Sequence, residues 1–171
     1  VVNDGSTDAT QKIVDDFSLR YPSIIKSFEK KNGGIADTRN FGLSKVKGEY
    51  FTFLDSDDYM ENDTIERMLN VALEKGSDVV FSDFWWTYSS KEVLGSEGHY
   101  VDNRQILIKM FATLWNKLYR TDFIRALNFN FPTGYRYEDA SFLYKMVPHV
   151  KRWDYVQSPF VHYVDRKCVV L

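Results

Sequence analysis

Cysteine is almost absent from this chain, which carries a single residue, Cys168, in 171. A lone thiol cannot close an internal disulfide, so a stapled scaffold is excluded and a reducing compartment is mildly favoured. Long apolar runs are missing as well. No stretch approaches the ~18 residues of a membrane-spanning helix, and none reads as a signal peptide. Charge of one sign is not in excess, with 22 Lys and Arg against 24 Asp and Glu, a net of -2. That balance gives no support to nonspecific nucleic-acid binding. It also means that an anionic substrate would need a local cation, either a metal or an Arg/Lys cluster. Neither an internal repeat nor a low-complexity tract is present. There is no initiator Met, and Val1-Val2-Asn3-Asp4 reads as the end of a strand entered midway, so an N-terminal strand is expected to be missing.

What the chain does have is apolar material, 44% hydrophobic and 16% aromatic. At this length it fits one domain able to bury roughly 70% of its unfolded surface. Strand-like and helix-like segments alternate. Ser6 or Thr7 can cap a helix with Ala9, Ile13, Val14 and Phe17 on one stripe. Ile24-Ile25 reads as a short strand, and Gly33-Gly34 opens a second helix that stops near Gly48. Glu49 to Leu54 is expected as a strand. A third helix, capped by Asn62 or Asp63, carries Ile65, Met68, Leu69, Ala72 and Leu73 and ends at Gly76. Asp78 to Trp85 is the next strand. After Tyr88 come a loop through Gly95 and Gly98, helices near Gln105–Phe111 and Thr121–Ala126, a helix over Glu138–Met146 and a strand over Trp153–Val156. The alternation predicts an α/β fold with a mostly parallel central sheet, crossover helices and a mixed α/β C-terminal half. Ligands of such sheets bind beyond the carboxyl ends of the strands.

The most informative stretch is Phe51-Thr52-Phe53-Leu54-Asp55-Ser56-Asp57-Asp58. An apolar run breaks into three carboxylates within four positions. A strand there would send Asp55 and Asp57 to one face and Ser56 to the other. Like charges so close need a cation or a donor network, and hard oxygen ligands suit Mg2+ or Mn2+ completed by substrate phosphates. A calcium loop is excluded, because Met60 stands where its sharp turn needs Gly. An aspartyl-nucleophile phosphatase with Asp55 as nucleophile remains an alternative, although Asp58 departs from that pattern. Asp4, in Val2-Asn3-Asp4-Gly5-Ser6-Thr7-Asp8, is either part of a capped turn or an acceptor for a nucleobase. Arg39 is either a surface Arg or a planar donor fork for a base or phosphate. Glu138-Asp139 either compensates a helix dipole or supplies a general base in Asp139. In Trp115-Asn116-Lys117-Leu118-Tyr119 the plain reading is a core Trp and Leu with Lys117 reaching out to water; the alternative has Trp85, Trp86, Tyr88 and Trp115 stacking on sugar faces. His162 reads as a packed histidine, with metal or phosphate contact the alternative.

These motifs, in this order, resemble the family 2 glycosyltransferases of the GT-A fold, particularly bacterial enzymes that build surface polysaccharides. The resemblance rests on Val2–Asp8, Asn32-Gly33-Gly34 through Arg39-Asn40, Leu54–Asp58, Trp115–Tyr119 and Glu138-Asp139-Ala140-Ser141-Phe142. The family's opening strand has no counterpart. The resemblance implies a single domain over 1–171, with a nucleotide-sugar half at 1–88 and an acceptor and catalytic-base half at 89–171. It implies that Asp4 accepts a bond from the base and that Arg39 contacts base or diphosphate. Asp57 would ligate Mg2+ or Mn2+, while Asp55 holds the ribose or a metal-bound water, with Ser56 between them in the nucleotide-sugar site. Asp139 would be the catalytic base, supported by Glu138. The donor implied is a nucleoside-diphosphate sugar, UDP-sugar favoured, and the acceptor a glycan or lipid-linked hydroxyl. The expected place is cytoplasmic, with peripheral contact at the inner face of the membrane. A non-catalytic nucleotide-sugar or glycan-binding module is a further alternative. The end, His162 to Lys167, reads either as a segment folding over the diphosphate with its basic residues or as a frayed terminus.

Overall fold

The longest strongly buried run, Ser77-Asp78-Val79-Val80-Phe81-Ser82-Asp83-Phe84, anchors the structure, a computed structural model describing residues 1–165. Arg166, Lys167 and Cys168 lie outside the described residues. The chain divides into two compact units, one of residues 1–47 with 130–142 and one of residues 48–129 with 143 onward. Residues 88 and 89, where the sequence places the meeting of its two functional halves, both lie in the second unit.

In the first unit, β1 (Val2–Asn3) leads through α1 (Thr10–Arg20) to β2 (Phe28–Glu29), which pairs with β1 in parallel, Val2 opposite Phe28. The strand therefore falls after Ile24-Ile25 rather than on them. Ile24 sits exposed in a turn instead. α1 starts at Thr10 with Ala9 at its N-cap position, later than a Ser6 or Thr7 cap would give, and lacks the expected contacts. Asp8 accepts from the Thr10 amide at 2.9 Å, Ser6 and Thr7 do not cap, and no residue of the helix is buried. α2 (Ile35–Lys45) follows the Gly33-Gly34 turn. Asn40 fixes the returning segment by donating from Nδ2 to the Phe131 carbonyl and accepting the Phe131 amide, at 2.9 and 2.8 Å. Phe131 then stacks on Phe142 with 4.4 Å between centroids.

The second unit opens with β3 (Tyr50–Phe51) and β4 (Tyr59–Met60), then α3 (Thr64–Lys75). α3 buries Thr64, Met68 and Ala72, one helical stripe, and ends at Gly76, whose φ of 63° supplies the left-handed C-cap. Next come β5 (Val79–Thr87), β6 (Glu92–Gly95), α4 (Asn103–Lys109), β7 (Lys117–Arg120) and α5 (Thr121–Leu127). α6 (Glu138–Met146) starts in the first unit and ends in the second, and β8 (Trp153–Val164) closes the described chain. The segment read as loop at Gly95 is thus the second strand of a hairpin, and Lys117–Arg120 is a strand.

The α/β class is as expected, but its pairings are more mixed than the alternation suggests. The six-stranded sheet runs β3-β7-β5-β8-β4 with β6 on β5. β5 and β8 are parallel, whereas β3–β7, β4–β8, β5–β6 and β5–β7 are antiparallel. The β5–β8 register slips around Asp83 opposite Pro159. A proline has no amide to donate to a ladder, so it belongs at such an irregularity. Met68, Ala72, Val80, Phe84, Trp115, Leu118, Phe160 and Val161 form one core cluster. Phe84 meets Trp115, Phe111 and Trp86 edge to face at 4.7, 5.0 and 5.2 Å. Burying a ring of that size contributes roughly 1.5–3 kcal/mol, and it explains why Trp115 is core rather than a sugar platform.

Candidate functional site

In the first unit, Asn3 and Gly5 shape the turn that presents Asp4. Asn3 Oδ1 accepts the Ser6 amide at 3.0 Å, and Gly5 takes φ of 75° against the backbone of Asn32. The Asp4 carboxylate faces the glycine turn across from it. Oδ1 accepts from Lys30 Nζ at 2.5 Å and from the Gly33 amide at 3.0 Å, and Oδ2 accepts the Gly34 amide at 2.8 Å. Burial pushes this carboxyl up, but the bonds from Lys30 and from the Gly33 and Gly34 amides outweigh it and hold the group at about 2. Lys30 also reaches Asp37 Oδ2 at 2.6 Å, and its own pKa is raised, first by Asp37 and then by Asp4. A Cβ at Gly33 would fall on the Asp37 carboxylate and against Lys30 Nζ, so a side chain there would have to displace this ion pair. Lys30 and Asp37 carry no distinguishing sequence signal, since one lies in a Lys-Lys pair and the other in an ordinary first helical turn.

Arg39 and Glu138 form a second bonded group. The Arg39 Nη1 to Glu138 Oε1 distance is 2.5 Å, and both side chains are nearly buried. Asp139, the next residue, is partly exposed. Its Oδ1 accepts the Ala140 amide at 2.7 Å, while Oδ2 accepts nothing among the described residues. The two acids of Glu138-Asp139 thus differ sharply in environment.

In the second unit, Asp55, Ser56 and Asp57 lie on a turn between β3 and β4, not at the end of a long strand. Ladder pairing stops at Phe51, and the Asp58 amide closes the turn on the Asp55 carbonyl at 3.1 Å. Strand alternation therefore does not place the carboxylates. Phe51, Phe53 and Tyr119 pack together before the turn, with Phe51 stacked on Tyr119 at 5.4 Å. After the turn, Asp58 Oδ1 accepts the Val164 amide at 2.9 Å, which ties it to the end of β8. Ser56 and Asp57 are exposed, and Asp55 is half-buried. The Tyr163 phenol is pushed up by burial and then by the negative field of Asp58, Asp57, Asp165 and Asp55.

Among the described residues, no three or more His, Cys, Asp or Glu gather to hold a metal ion. The donor set nevertheless fits Mg2+ or Mn2+. Such ions take one or two carboxylates and complete their shell from phosphates and water. His162 is not an open ligand. Its Nε2 lies 3.0 Å from Glu61 and its Nδ1 2.9 Å from Glu92, with the ring stacked on Tyr59 at 4.2 Å. Lys117 does not reach water either. It and Glu97 are fully buried and paired at 2.7 Å.

The model of glycosyl transferase family 2 matches residues 1–137, so this chain belongs to that family. It is 29% identical to EpsH of Bacillus subtilis over 180 residues, which is 95% of this chain and 51% of that protein. S. aureus TarS 1-349 in complex with UDP-GlcNAc superposes with a TM-score of 0.80 at 26% identity, over 98% of this chain and 49% of that one. The mannosyltransferase PcManGT from Pyrobaculum calidifontis, solved with GDP-Man and Mn2+, shares the fold with a TM-score of 0.64 at 18% identity, over 96% of this chain and 46% of that one. The chain thus spans about half the length of these proteins. Family and fold together give a GT-A-like glycosyltransferase framework, and the phosphatase alternative finds no support in them.

Proposed function

We propose that this chain carries the catalytic machinery of an inverting, metal-dependent glycosyltransferase. It would move a sugar from a nucleoside-diphosphate donor to an acceptor hydroxyl in bacterial surface polysaccharide or glycoconjugate synthesis. The observation that carries the reading is the unequal treatment of Glu138 and Asp139. Glu138 is buried and ion-paired to Arg39 at 2.5 Å, whereas Asp139 is partly exposed, has no cationic partner among the described residues and accepts only the Ala140 amide, at one oxygen. A carboxylate held in place at one oxygen and open at the other can take a proton from an incoming hydroxyl. As that proton leaves, the acceptor oxygen bonds to the anomeric carbon and the bond to the diphosphate oxygen breaks. One displacement of this kind inverts the anomeric centre.

Asp57 and Asp55 would hold Mg2+ or Mn2+, which when bound stabilises the charge on the departing diphosphate. Asp4 and the Gly33-Gly34 turn would border the base, with Lys30 holding the Asp4 carboxylate in register. Arg39 would act chiefly by fixing Glu138 beside the base. A uridine nucleotide is the first donor to test, since TarS is solved with UDP-GlcNAc. A glycan or lipid-linked acceptor and work at the cytoplasmic face of the membrane belong to the same proposal. Among the described residues no helix is long and apolar enough to cross a membrane.

The test joins binding and turnover. Calorimetry of UDP, GDP, CDP and dTDP with and without Mn2+ should find one that binds tightly, with the affinity lost in Asp57→Asn. Asp139→Asn should bind that nucleotide as the wild type does, while transfer falls by roughly 10²–10⁴-fold, the usual worth of a general base. Undiminished transfer by Asp139→Asn removes the base assignment. Nucleotide binding with neither transfer nor donor hydrolysis would instead define a non-catalytic binding module.

A further inference from the structure

Two of the largest side chains in the first unit stand almost wholly in water. Tyr135 is 76% exposed and Tyr137 78%, with Arg136 exposed between them. Neither tyrosine has a hydrogen-bond, ion-pair or ring partner for its side chain among the described residues. The tryptophans that the sequence offers for stacking are different. Trp115 is core, and Trp85 and Trp86 are partly covered strand residues.

A second observation concerns the backbone. Tyr137 has φ of 60°, and Asn128 with φ of 50° is the other non-glycine residue on the positive side. Asn128 caps the C-terminus of α5, where a left-handed Asn is ordinary. Tyr137 has no such excuse. It precedes α6, and residues that cap helix N-termini prefer the extended region. A bulky aromatic held left-handed is a true outlier, and such outliers concentrate where function demands them. The chain thus maintains a strained, solvated aromatic two residues before Asp139, with a second one two residues earlier.

We propose that Tyr135 and Tyr137 form the acceptor-recognition element of the site, taking the apolar C–H face of a pyranose ring. The proposal rests on the glycosyltransferase reading given above. A sugar ring has a C–H face that packs on an aromatic plane and a hydroxyl rim that bonds to polar groups at its edge. Two phenols supply the planes and their own hydroxyls, and Arg136 adds a fork of donors between them. Asp139 must receive its proton from the acceptor, so an element adjoining Asp139 in the chain belongs on the acceptor side. The competing occupant is the donor's nucleobase, which also presents a face for stacking.

The experiment is saturation-transfer NMR on the full chain with methyl β-glucoside, methyl β-galactoside and methyl N-acetyl-β-glucosaminide, with UDP and diamagnetic Mg2+ present, alongside calorimetric titration of UDP. At least one glycoside should receive saturation from the wild type. Its affinity should fall roughly three- to tenfold for each of Tyr135→Ala and Tyr137→Ala, the worth of one ring contact, with UDP affinity unchanged. Tyr135→Phe and Tyr137→Phe, which keep the ring, should stay within about threefold of the wild type. Tyr137→Gly should raise Tm by relieving the positive φ and still lose the glycoside, which separates ring loss from misfolding. Wild-type indifference to all three glycosides, or undiminished glycoside binding by the alanine variants, overturns the proposal. A parallel loss of UDP affinity also overturns it and assigns the rings to the base. A wild type that binds a glycoside through these rings but no nucleoside diphosphate would uphold the element while sinking the donor reading.

Discussion

Replacing Lys117 with Met should be among the most damaging single changes in the second unit, and the structure sets the size. Lys117 Nζ donates to Glu97 Oε1, the Phe111 and Thr113 carbonyls and Asn116 Oδ1, at 2.7 to 2.9 Å, with neither Lys117 nor Glu97 exposed. Glu97 also accepts from the Tyr100 hydroxyl at 2.7 Å, the Phe111 amide at 2.9 Å and Asn116 Nδ2 at 3.3 Å. Met fills the volume but strands a buried carboxylate, a loss of about 3–5 kcal/mol. The three remaining donors to Glu97 place the expected value near the lower end, about 3 kcal/mol. That is a substantial share of the ~5–15 kcal/mol that holds a domain together. Urea unfolding followed by circular dichroism at pH 7 measures it, as a lower midpoint at unchanged slope. The double variant Lys117→Met/Glu97→Gln should lose less than the single, because the stranded charge is gone. A single variant within about 1 kcal/mol of the wild type, or a double variant that merely adds the two losses, refutes this account of the network.

Two further outcomes are expected. Asp4 is held at about 2, below its ordinary 3.8, so its contribution is present above pH ~4 and fades as pH falls towards ~2. It should amount to about 1 kcal/mol once solvent screening is allowed for, and Asp4→Asn should flatten that part of the acid stability curve; a curve of unchanged slope would refute the sign. Asp58→Ala, which breaks the 2.9 Å bond from the Val164 amide, should weaken Mn2+-dependent nucleotide binding by roughly 5-fold or more, as a lost part-buried bond of about 1 kcal/mol or more would. Asp58→Asn keeps an acceptor and should do much less. Equal effects from both would show that charge, not the tether, matters.

The fold class, the bounds of α3 and α6 and the core position of Trp115 were legible because periodicity, Gly76 and apolar density all point the same way. The Glu49–Leu54 strand was overextended for a physical reason. Its apolar residues pack on Tyr119 as a ring cluster rather than by continuing the ladder, and both arrangements look alike in a one-dimensional pattern. The β-hairpin partner Glu92–Gly95 was hidden because its middle residues are exposed, while Gly95 is dictated by the Phe84 ring lying where a Cβ would go. Lys117 was misread because its burial depends on Glu97, twenty positions away, and no local spacing announces a long-range ion pair. Candidate site residues were visible as residue types at turns; their partners were not. Lys30 on Asp4 and Val164 on Asp58 are contacts of 26 and 106 positions' separation.

Those partners divide the carboxylates by what each can still do. A carboxylate whose lone pairs are filled by fixed donors is a structural anchor, since it can neither take a proton readily nor open a face to a cation. Asp4, held by Lys30 and two glycine amides, has that character, and Glu138 is tied down by its buried ion pair with Arg39. Asp58 uses one oxygen to hold the turn to β8. Asp139, partly exposed and bonded at one oxygen, is arranged differently. Each acting carboxylate in the proposed mechanism therefore has an anchored acid beside it in sequence, Asp139 after Glu138 and Asp57 before Asp58. Here the anchored member is tied to an Arg or to a backbone amide, which fixes the position of the neighbour that would do the chemistry.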